Sequence, residues 1–263
     1  MTGPNVFASD LLCGTHTLIT GGGTGIGFGC AKELGALGAR ITIVARRENV
    51  LRDATEQLSD DGIDCGWYGL NIRDNGAVEN VMQRIVAERG LPDHLVNNAG
   101  GQFAARAEDI SPNGFRAVLD LNVQGTWQMC RWFAQAHRVA ATPGRIVNMV
   151  FAHTDAMERF AHAAAARAAV VNLTKTLALE WGADGLLVNA VGPGPVMTGA
   201  IGQYSESESG ASRIAQMPVP RWGTPRDVAL LVAYLLSPAG DWITGSFFPI
   251  DGGAQLVGRR WES

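Results

Sequence analysis

The stretch "LITGGGTGIG" (Leu18–Gly27) sets the fold of this chain. It begins with apolar and β-branched residues typical of a buried strand, and its glycines at 21, 25 and 27 precede a helical pattern. Glycine lets the backbone turn tightly and approach a pyrophosphate, whose charge the free amides and positive end of the following helix then face. Because the glycines stand between a predicted strand and a predicted helix, they indicate a dinucleotide-binding unit. The predicted cofactor contacts here are Gly21, Gly23, Thr24, Gly25, Ile26 and Gly27.

The same alternation of strand and helix runs along the rest of the chain. Strands are predicted at Thr15–Thr20, Arg40–Ala45, Cys65–Leu70, His94–Asn98, Arg145–Val150, Leu186–Val191 and Ser246–Ile250. Helices are predicted at Ile26–Leu37, Asn49–Ser59, Asn75–Glu88, Gly114–His137, Phe160–Gly182 and Arg226–Leu236. These strands are too apolar to have a solvent-exposed face, which indicates a parallel sheet covered by helices on both sides. We therefore predict an α/β fold: a single doubly wound Rossmann domain over residues 1–263, with a seven-stranded parallel sheet and helices on both faces.

The composition narrows the possible partners. Of 263 residues, 46% are hydrophobic and 17% are charged, and the net charge is −4 with both signs scattered. Nothing in this pattern suggests capture of nucleic acid or of a membrane surface. The four cysteines lack paired spacing, which argues against a zinc site or a disulfide framework and favours a reducing compartment. No apolar run approaches the roughly 20 residues that span a bilayer. We expect a cytoplasmic protein without a metal.

The end of the second predicted strand indicates which dinucleotide binds. An NAD-selective site has Asp or Glu there, which accepts hydrogen bonds from the ribose 2′-hydroxyl. This chain has Ala45, Arg46 and Arg47 instead. A guanidinium can hold a 2′-phosphate in a bidentate, charge-assisted way, whereas a carboxylate would repel it. The predicted cofactor is NADP(H), bound through Arg46 and Arg47.

Five motifs together resemble the short-chain dehydrogenase/reductase family. They are "TGGGTGIG" (Thr20–Gly27), "VNNAGG" (Val96–Gly101), Asn122 in "DLNVQGTW", "GPGPVMT" (Gly192–Thr198) and "ITGSFFPIDGG" (Ile243–Gly253). Their order and spacing match over nearly the whole chain. The resemblance implies that Asn122 holds a water or a helix kink in a proton relay. It also implies a homotetramer or homodimer packed through the helices at Gly114–His137 and Phe160–Gly182. The further cofactor contacts that it implies are Asn71, Ile72, Asn98, Gly100, Arg167, Pro193, Val196 and Thr198.

The usual catalytic residues of that family are replaced. Ala163 stands at the tyrosine position, Arg167 at the lysine position and Val150 at the serine position. Hydride addition to a ketone produces a strongly basic alkoxide, so an acid must lie within hydrogen-bond reach. Alanine can supply no proton, and valine can orient no carbonyl. Simple alcohol–ketone exchange by the usual relay is therefore disfavoured.

A narrower resemblance suggests other chemistry. "NNAGGQF" (Asn97–Phe103), "LNIRD" (Leu70–Asp74) and "AHAAAARAAVVNLTKTLALEW" (Ala161–Trp181) look like the trans-2-enoyl-CoA and 2,4-dienoyl-CoA reductases, which also lack that tyrosine. Reduction of a conjugated C=C bond passes through an enolate, which is far less basic than an alkoxide and can be stabilised by hydrogen-bond donors. The expected activity is NADP(H)-dependent reduction of the C=C bond of a 2-enoyl-CoA-type acyl thioester.

The remaining candidate residues are expected beside the ligand-binding crevice above the carboxyl ends of the strands. Tyr204, in the polar stretch Gly202–Ser212, and His153, after the fifth strand, are candidate acids. With Asn122 and Arg167 they complete the predicted catalytic set. Gln102, Phe103 and Ala163 are the predicted substrate contacts, and a core role for Phe103 is equally open. His162 is interpreted as a packed or interface histidine.

Two other functions stay open. The chain could be a 3-oxoacyl or ketone reductase that uses an atypical acid such as Tyr204. Joint loss of the tyrosine, serine and lysine is also what a catalytically silent NADP(H)-binding protein would show. Retained NADPH binding without turnover of any enoyl or oxo substrate would identify the silent protein.

Overall fold

A computed structural model describes residues 6–152, 157–199, 212 and 214–257. Its centre is a seven-stranded, wholly parallel sheet in the order β3-β2-β1-β4-β5-β6-β7. The strands are β1 His16–Thr20, β2 Arg40–Ala45, β3 Cys65–Gly69, β4 His94–Asn97, β5 Gly144–Met149, β6 Leu186–Pro193 and β7 Phe247–Ile250. The predicted fold class is confirmed, and every predicted strand is present within two residues at each end.

Helices cover both faces of the sheet. They are α1 Gly25–Ala36, α2 Glu48–Asp60, α3 Asn75–Arg89, α4 Pro112–Leu119, α5 Gly125–Ala140, α6 Ala161–Trp181 and α7 Pro225–Leu236. Their starts follow local chemistry: the Asp74 carboxylate accepts from the Ala77 amide at the start of α3, and Thr224 and Asp227 form a capping box at α7.

The prediction of one helix over Gly114–His137 is wrong. The segment forms α4 and α5, joined by a π-helical turn at Asp120–Gln124. A π turn adds one residue to the hydrogen-bonded ring without interrupting the helical backbone, so the apolar periodicity continues across it. Such turns are frequent at functional sites, and this one contains Asn122.

Two apolar cores lie on opposite faces of the sheet. One is built on α1, α2 and α7, the other on α3, α5 and α6. In the first core, α1 packs closely against α7: Gly29 lies so near Pro225 that a Cβ would overlap that ring, and the Arg226 guanidinium binds Glu33 at 3.0 Å. The first helix after the glycine turn is thus held by the last helix of the described chain.

In the described part of the chain, no helix combines the length and apolar character needed to span a bilayer. Those residues also contain no group of three or more His, Cys, Asp or Glu side chains placed to hold a metal ion.

Candidate active site

A cavity of about 230 Å³ opens at the carboxyl ends of β1, β2 and β4, where the strand order reverses. Ligands of doubly wound sheets bind at this kind of crevice. Many residues predicted from the sequence to bind a cofactor line the cavity: Gly21, Gly23, Thr24, Arg46, Arg47, Asn71, Ile72, Asn98 and Gly100.

The glycine turn after β1 is held tightly against the turn after β4. Gly21 adopts φ 67°, and a Cβ there would lie 3.0 Å from the Asn98 amide nitrogen. That nitrogen donates to the carbonyls of Thr20 and Gly21, both at 3.1 Å. Gly27 faces the Gly21 carbonyl so closely that any side chain would overlap it. Glycine is therefore required at positions 21 and 27 for backbone packing. Because these residues have no side chains, backbone amides form this part of the cavity wall.

At the far end of the cavity, Arg46 and Arg47 follow β2. Both are exposed, and neither pairs with another described residue. Asn71 lies across from them, where its side-chain oxygen accepts from the Arg73 Nε at 3.3 Å. This end of the cavity thus presents two unneutralised cations, a setting suited to an anionic group.

At the other end, Arg167 lies against Gly100. A Cβ at Gly100 would overlap the Arg167 Nη2 and come within 2.7 Å of the Asn122 Oδ1. Arg167 Nη1 donates to the Met149 carbonyl at 2.8 Å, and its guanidinium carbon lies 5.1 Å from the Phe151 ring centre. Burial lowers the pKa of Arg167 to about 10, so the group still carries its charge at neutral pH. Its Nε is buried without a partner among the described residues.

Asn122 fixes the loop beyond Gly100. Its Nδ2 donates to the carbonyls of Gly101 and Val118, both at 2.8 Å, and its Oδ1 accepts from the Gly101 amide at 3.3 Å. The side chain is 1% exposed. These contacts support the helix distortion and engage both amide hydrogens, whereas the side-chain oxygen can accept a second hydrogen bond.

The tyrosine position is filled by apolar packing. Ala163 is 1% exposed and belongs to a small cluster with Val118 and Ala166. Val150, at the serine position, is also buried. Ala163 is predicted to contact substrate, and in the structure its methyl group lies among these side chains.

The loop after β4 contains the other predicted substrate contacts. Gln102 is exposed, and Phe103 is 43% exposed. The Phe103 ring lies edge-on to His162, with the ring centres 4.3 Å apart and the planes at 75°. His162 was interpreted from the sequence as packed, and it is fully buried, yet neither ring nitrogen has a hydrogen-bond partner among the described residues. No pattern in the sequence distinguishes a buried histidine with partners from one without.

The remaining predicted residues lie beside the cavity or outside the described chain. The Thr198 methyl would be 3.4 Å from a Cβ at Gly25, which places Thr198 over the start of α1. Ile26 is half-buried on α1, Pro193 ends β6, and Val196 is buried in a bridge to Gly223. His153 and Tyr204 lie outside the described residues.

Known proteins are similar to this chain over most of its length. The family model described as enoyl-(acyl carrier protein) reductase matches residues 21–255. A peroxisomal 2,4-dienoyl-CoA reductase of Arabidopsis thaliana is 37% identical over 97% of this chain and 89% of its own. A probable 2,4-dienoyl-CoA reductase of Bacillus subtilis is 34% identical over 91% of this chain and 96% of its own. The chain belongs to the short-chain dehydrogenase/reductase family of oxidoreductases.

Solved structures show the same fold. The citronellol catabolism dehydrogenase of Pseudomonas aeruginosa has a TM-score of 0.84 at 36% identity, over 95% of this chain and 98% of that one. A putative NAD(P)-dependent gluconate 5-dehydrogenase of Beutenbergia cavernae, described with bound NADP at low occupancy, has a TM-score of 0.88 at 31% identity. It covers 95% of this chain and 100% of its own.

Proposed function

We propose that this protein is an NADPH-dependent reductase of a carbon–carbon double bond conjugated to an acyl thioester, with 2-enoyl- and 2,4-dienoyl-CoA as the substrates to test. One observation carries the proposal: the tyrosine position is a buried methyl group, while a guanidinium is retained against Gly100. The chain thus keeps a charge beside the cofactor cavity and lacks the phenol that carbonyl reduction requires. Curated relatives named 2,4-dienoyl-CoA reductase support this choice of substrate.

The residues that would hold the cofactor fit a phosphorylated dinucleotide. The glycine turn offers backbone amides at the start of α1 for the pyrophosphate, and Arg46 and Arg47 offer guanidinium groups for the 2′-phosphate. Arg167, beside Gly100, would face the nicotinamide ribose with a fixed positive charge. When bound, the reduced nicotinamide supplies a hydride equivalent to the substrate.

The difference in basicity between the two possible products explains why this reaction does not need a phenol. Hydride addition to a ketone leaves an alkoxide, which demands a proton at once from a nearby acid. Conjugate addition leaves an enolate, in which the charge is shared with the thioester oxygen and can be held by hydrogen-bond donors and cations. The enolate carbon can then take its proton from water. Ala163 is compatible with the second route, whereas the first would need an acid from elsewhere in the chain.

The test uses the purified full-length protein, NADPH and a panel of acyl thioesters. We expect loss of NADPH absorbance with crotonyl-CoA, 2-decenoyl-CoA or 2,4-decadienoyl-CoA, and none with the matched 3-oxoacyl-CoA. Turnover of the oxo compounds alone would replace the proposal with a ketone reductase. NADPH binding without turnover of either series would identify a silent cofactor-binding protein.

A further inference from the structure

His162 is a buried imidazole without a hydrogen-bond partner among the described residues. Leaving a buried polar group unpaired costs folding free energy, so such a group calls for an explanation in the protein's function. His137 shows the usual alternative. It is equally buried, but its Nδ1 lies 3.0 Å from the Thr142 hydroxyl and its Nε2 lies 3.0 Å from the Pro92 carbonyl.

Phe103 is a partly exposed ring in contact with the His162 imidazole. Phe103 lies edge-on to the imidazole and remains 43% exposed. It stands three residues after Gly100, which lines the cofactor cavity and touches Arg167. The same loop is tied to the approach to α6, because the Ala105 amide donates to the Arg159 carbonyl at 2.9 Å. The loop after β4 therefore connects the lining of the cavity, at Gly100, to the ring that packs on His162.

The helix start adds a second reason to expect an anionic oxygen here. His162 is in the first turn of the 21-residue helix α6, whose N-cap residue Phe160 offers no side-chain acceptor. The first amides of a helix have no partner within it, and the positive end of the helix dipole favours negative charge. His162 also precedes Arg167 by five residues, about 7.5 Å along the helix axis. The imidazole and the free amides of the first turn thus lie about one and a half turns before the guanidinium, on a different side of the same helix.

We propose that His162 is the hydrogen-bond donor to the thioester oxygen of the substrate, a role that rests on the proposed reduction. Phe103 rotates away and admits the thioester group. Hydride addition to the conjugated chain moves the π electrons of the C=C bond toward the carbonyl, and the resulting enolate oxygen accepts from the His162 N–H. When the α-carbon takes a proton from water, the C=O bond forms again and the reduced thioester is released. The hydroxide left from that water is neutralised by solvent, and the imidazole is unchanged. His162 thereby supplies the stabilisation that the enolate route requires.

The first test replaces the donor by an apolar side chain of similar size. His162→Leu should lower kcat with the enoyl or dienoyl thioester about 100-fold, the loss typical for removal of one oxyanion donor. Its affinity for NADPH should not change. Its Tm should equal or exceed that of the parent, because the substitution removes an unsatisfied buried group. The matched control is His137→Leu, which should lower the Tm because it breaks satisfied hydrogen bonds.

A second readout is independent of turnover. A saturated acyl-CoA labelled with ¹³C at the thioester carbonyl, bound with NADP⁺, should show its C=O stretch shifted to lower frequency, and His162→Leu should abolish the shift. His162→Asn and His162→Gln place an amide N–H near the positions of Nδ1 and Nε2, respectively. The variant that restores the shift identifies the donor nitrogen.

The outcomes separate this inference from the proposed function. A shift that depends on His162 in a protein that turns over no thioester supports the contact and overturns the reductase activity. An active parent whose His162→Leu variant keeps both the rate and the shift overturns the inference. A variant that loses Tm together with activity makes His162 a structural residue and also overturns it.

Discussion

The two arginines after β2 allow the choice of cofactor to be tested at single residues. Arg46 and Arg47 line the cavity without a described partner, so a 2′-phosphate would find both guanidinium groups available. We expect Arg46→Ser to raise the Kd for NADPH about 10- to 100-fold, the range for loss of a hydrogen bond between charged groups. The Kd for NADH should hardly change, because NADH has no phosphate there. Fluorescence titration of both cofactors measures the difference.

Arg52→Ser is the matched control, since Arg52 is exposed on α2 and does not line the cavity. It should leave both affinities as they are. An equal loss for NADH and NADPH in Arg46→Ser would show that Arg46 contacts a part common to both cofactors, and would contradict the assignment of the phosphate site.

Single residues could be placed from the sequence where the backbone next to them decides their position. The glycines of the first turn and Arg46 lie within a few residues of the strands that carry them, and they meet in one cavity. His162 could not be placed in this way. Phe103, which packs on it, comes from a loop about 60 residues earlier, and the absence of a partner depends on every element around it.

Secondary-structure elements also differ in whether the local sequence or distant contacts decide their position. A parallel strand buried on both faces is a short apolar run, so its position can be read locally. The π turn at Asp120–Gln124 leaves no comparable trace, because the helical pattern continues on either side of it. Its support by the carbonyls of Gly101 and Val118 appears only when the loop after β4 is in place.

Two buried histidines at the amino ends of β1 and β4 make the free energy of unfolding depend on pH. Burial, with Arg40 and Arg89 nearby, lowers the pKa of His16 to about 4, and burial, with Arg145 nearby, lowers the pKa of His94 to about 3. Between the ordinary value of 6.5 and these values, the unfolded chain binds more protons than the folded one. The free energy of unfolding should therefore fall as the pH drops below 6.5, by roughly 3 kcal/mol for His16 by pH 4.

Urea unfolding from pH 7 to pH 5 measures this dependence above the range in which most carboxylates titrate. His16→Gln can still bond the Thr42 hydroxyl, to which His16 Nε2 lies at 2.8 Å, and it cannot take up a proton. Its stability curve should be flatter than that of the parent. Parallel curves would show that His16 does not contribute to the slope.

For the whole molecule, we expect the homotetramer or homodimer that the family resemblance implies. A cavity of about 610 Å³ lies between α5 and α6, lined by Val123, Trp127 and Leu173 among others. Trp127 is 42% exposed, and Leu179, further along α6, is 87% exposed. Surfaces of this kind on a folded chain favour association. Light scattering should give a mass of two or four times 27.9 kDa.

Trp127→Glu should shift that mass toward the single chain, because it buries a carboxylate in the expected contact. Arg52→Glu, on the opposite face of the sheet, should not alter the mass. A parent protein that is monomeric at micromolar concentration would contradict the expectation.

The packing of α1 against α7 has a consequence for synthesis of the protein. The turn that would meet the pyrophosphate is encoded near the start of the chain, but the helix that fixes it rests on Pro225 and on the ion pair between Glu33 and Arg226. During translation, α1 therefore leaves the ribosome well before the helix that packs on it. We expect full affinity for the coenzyme only after α7 has emerged and docked on α1.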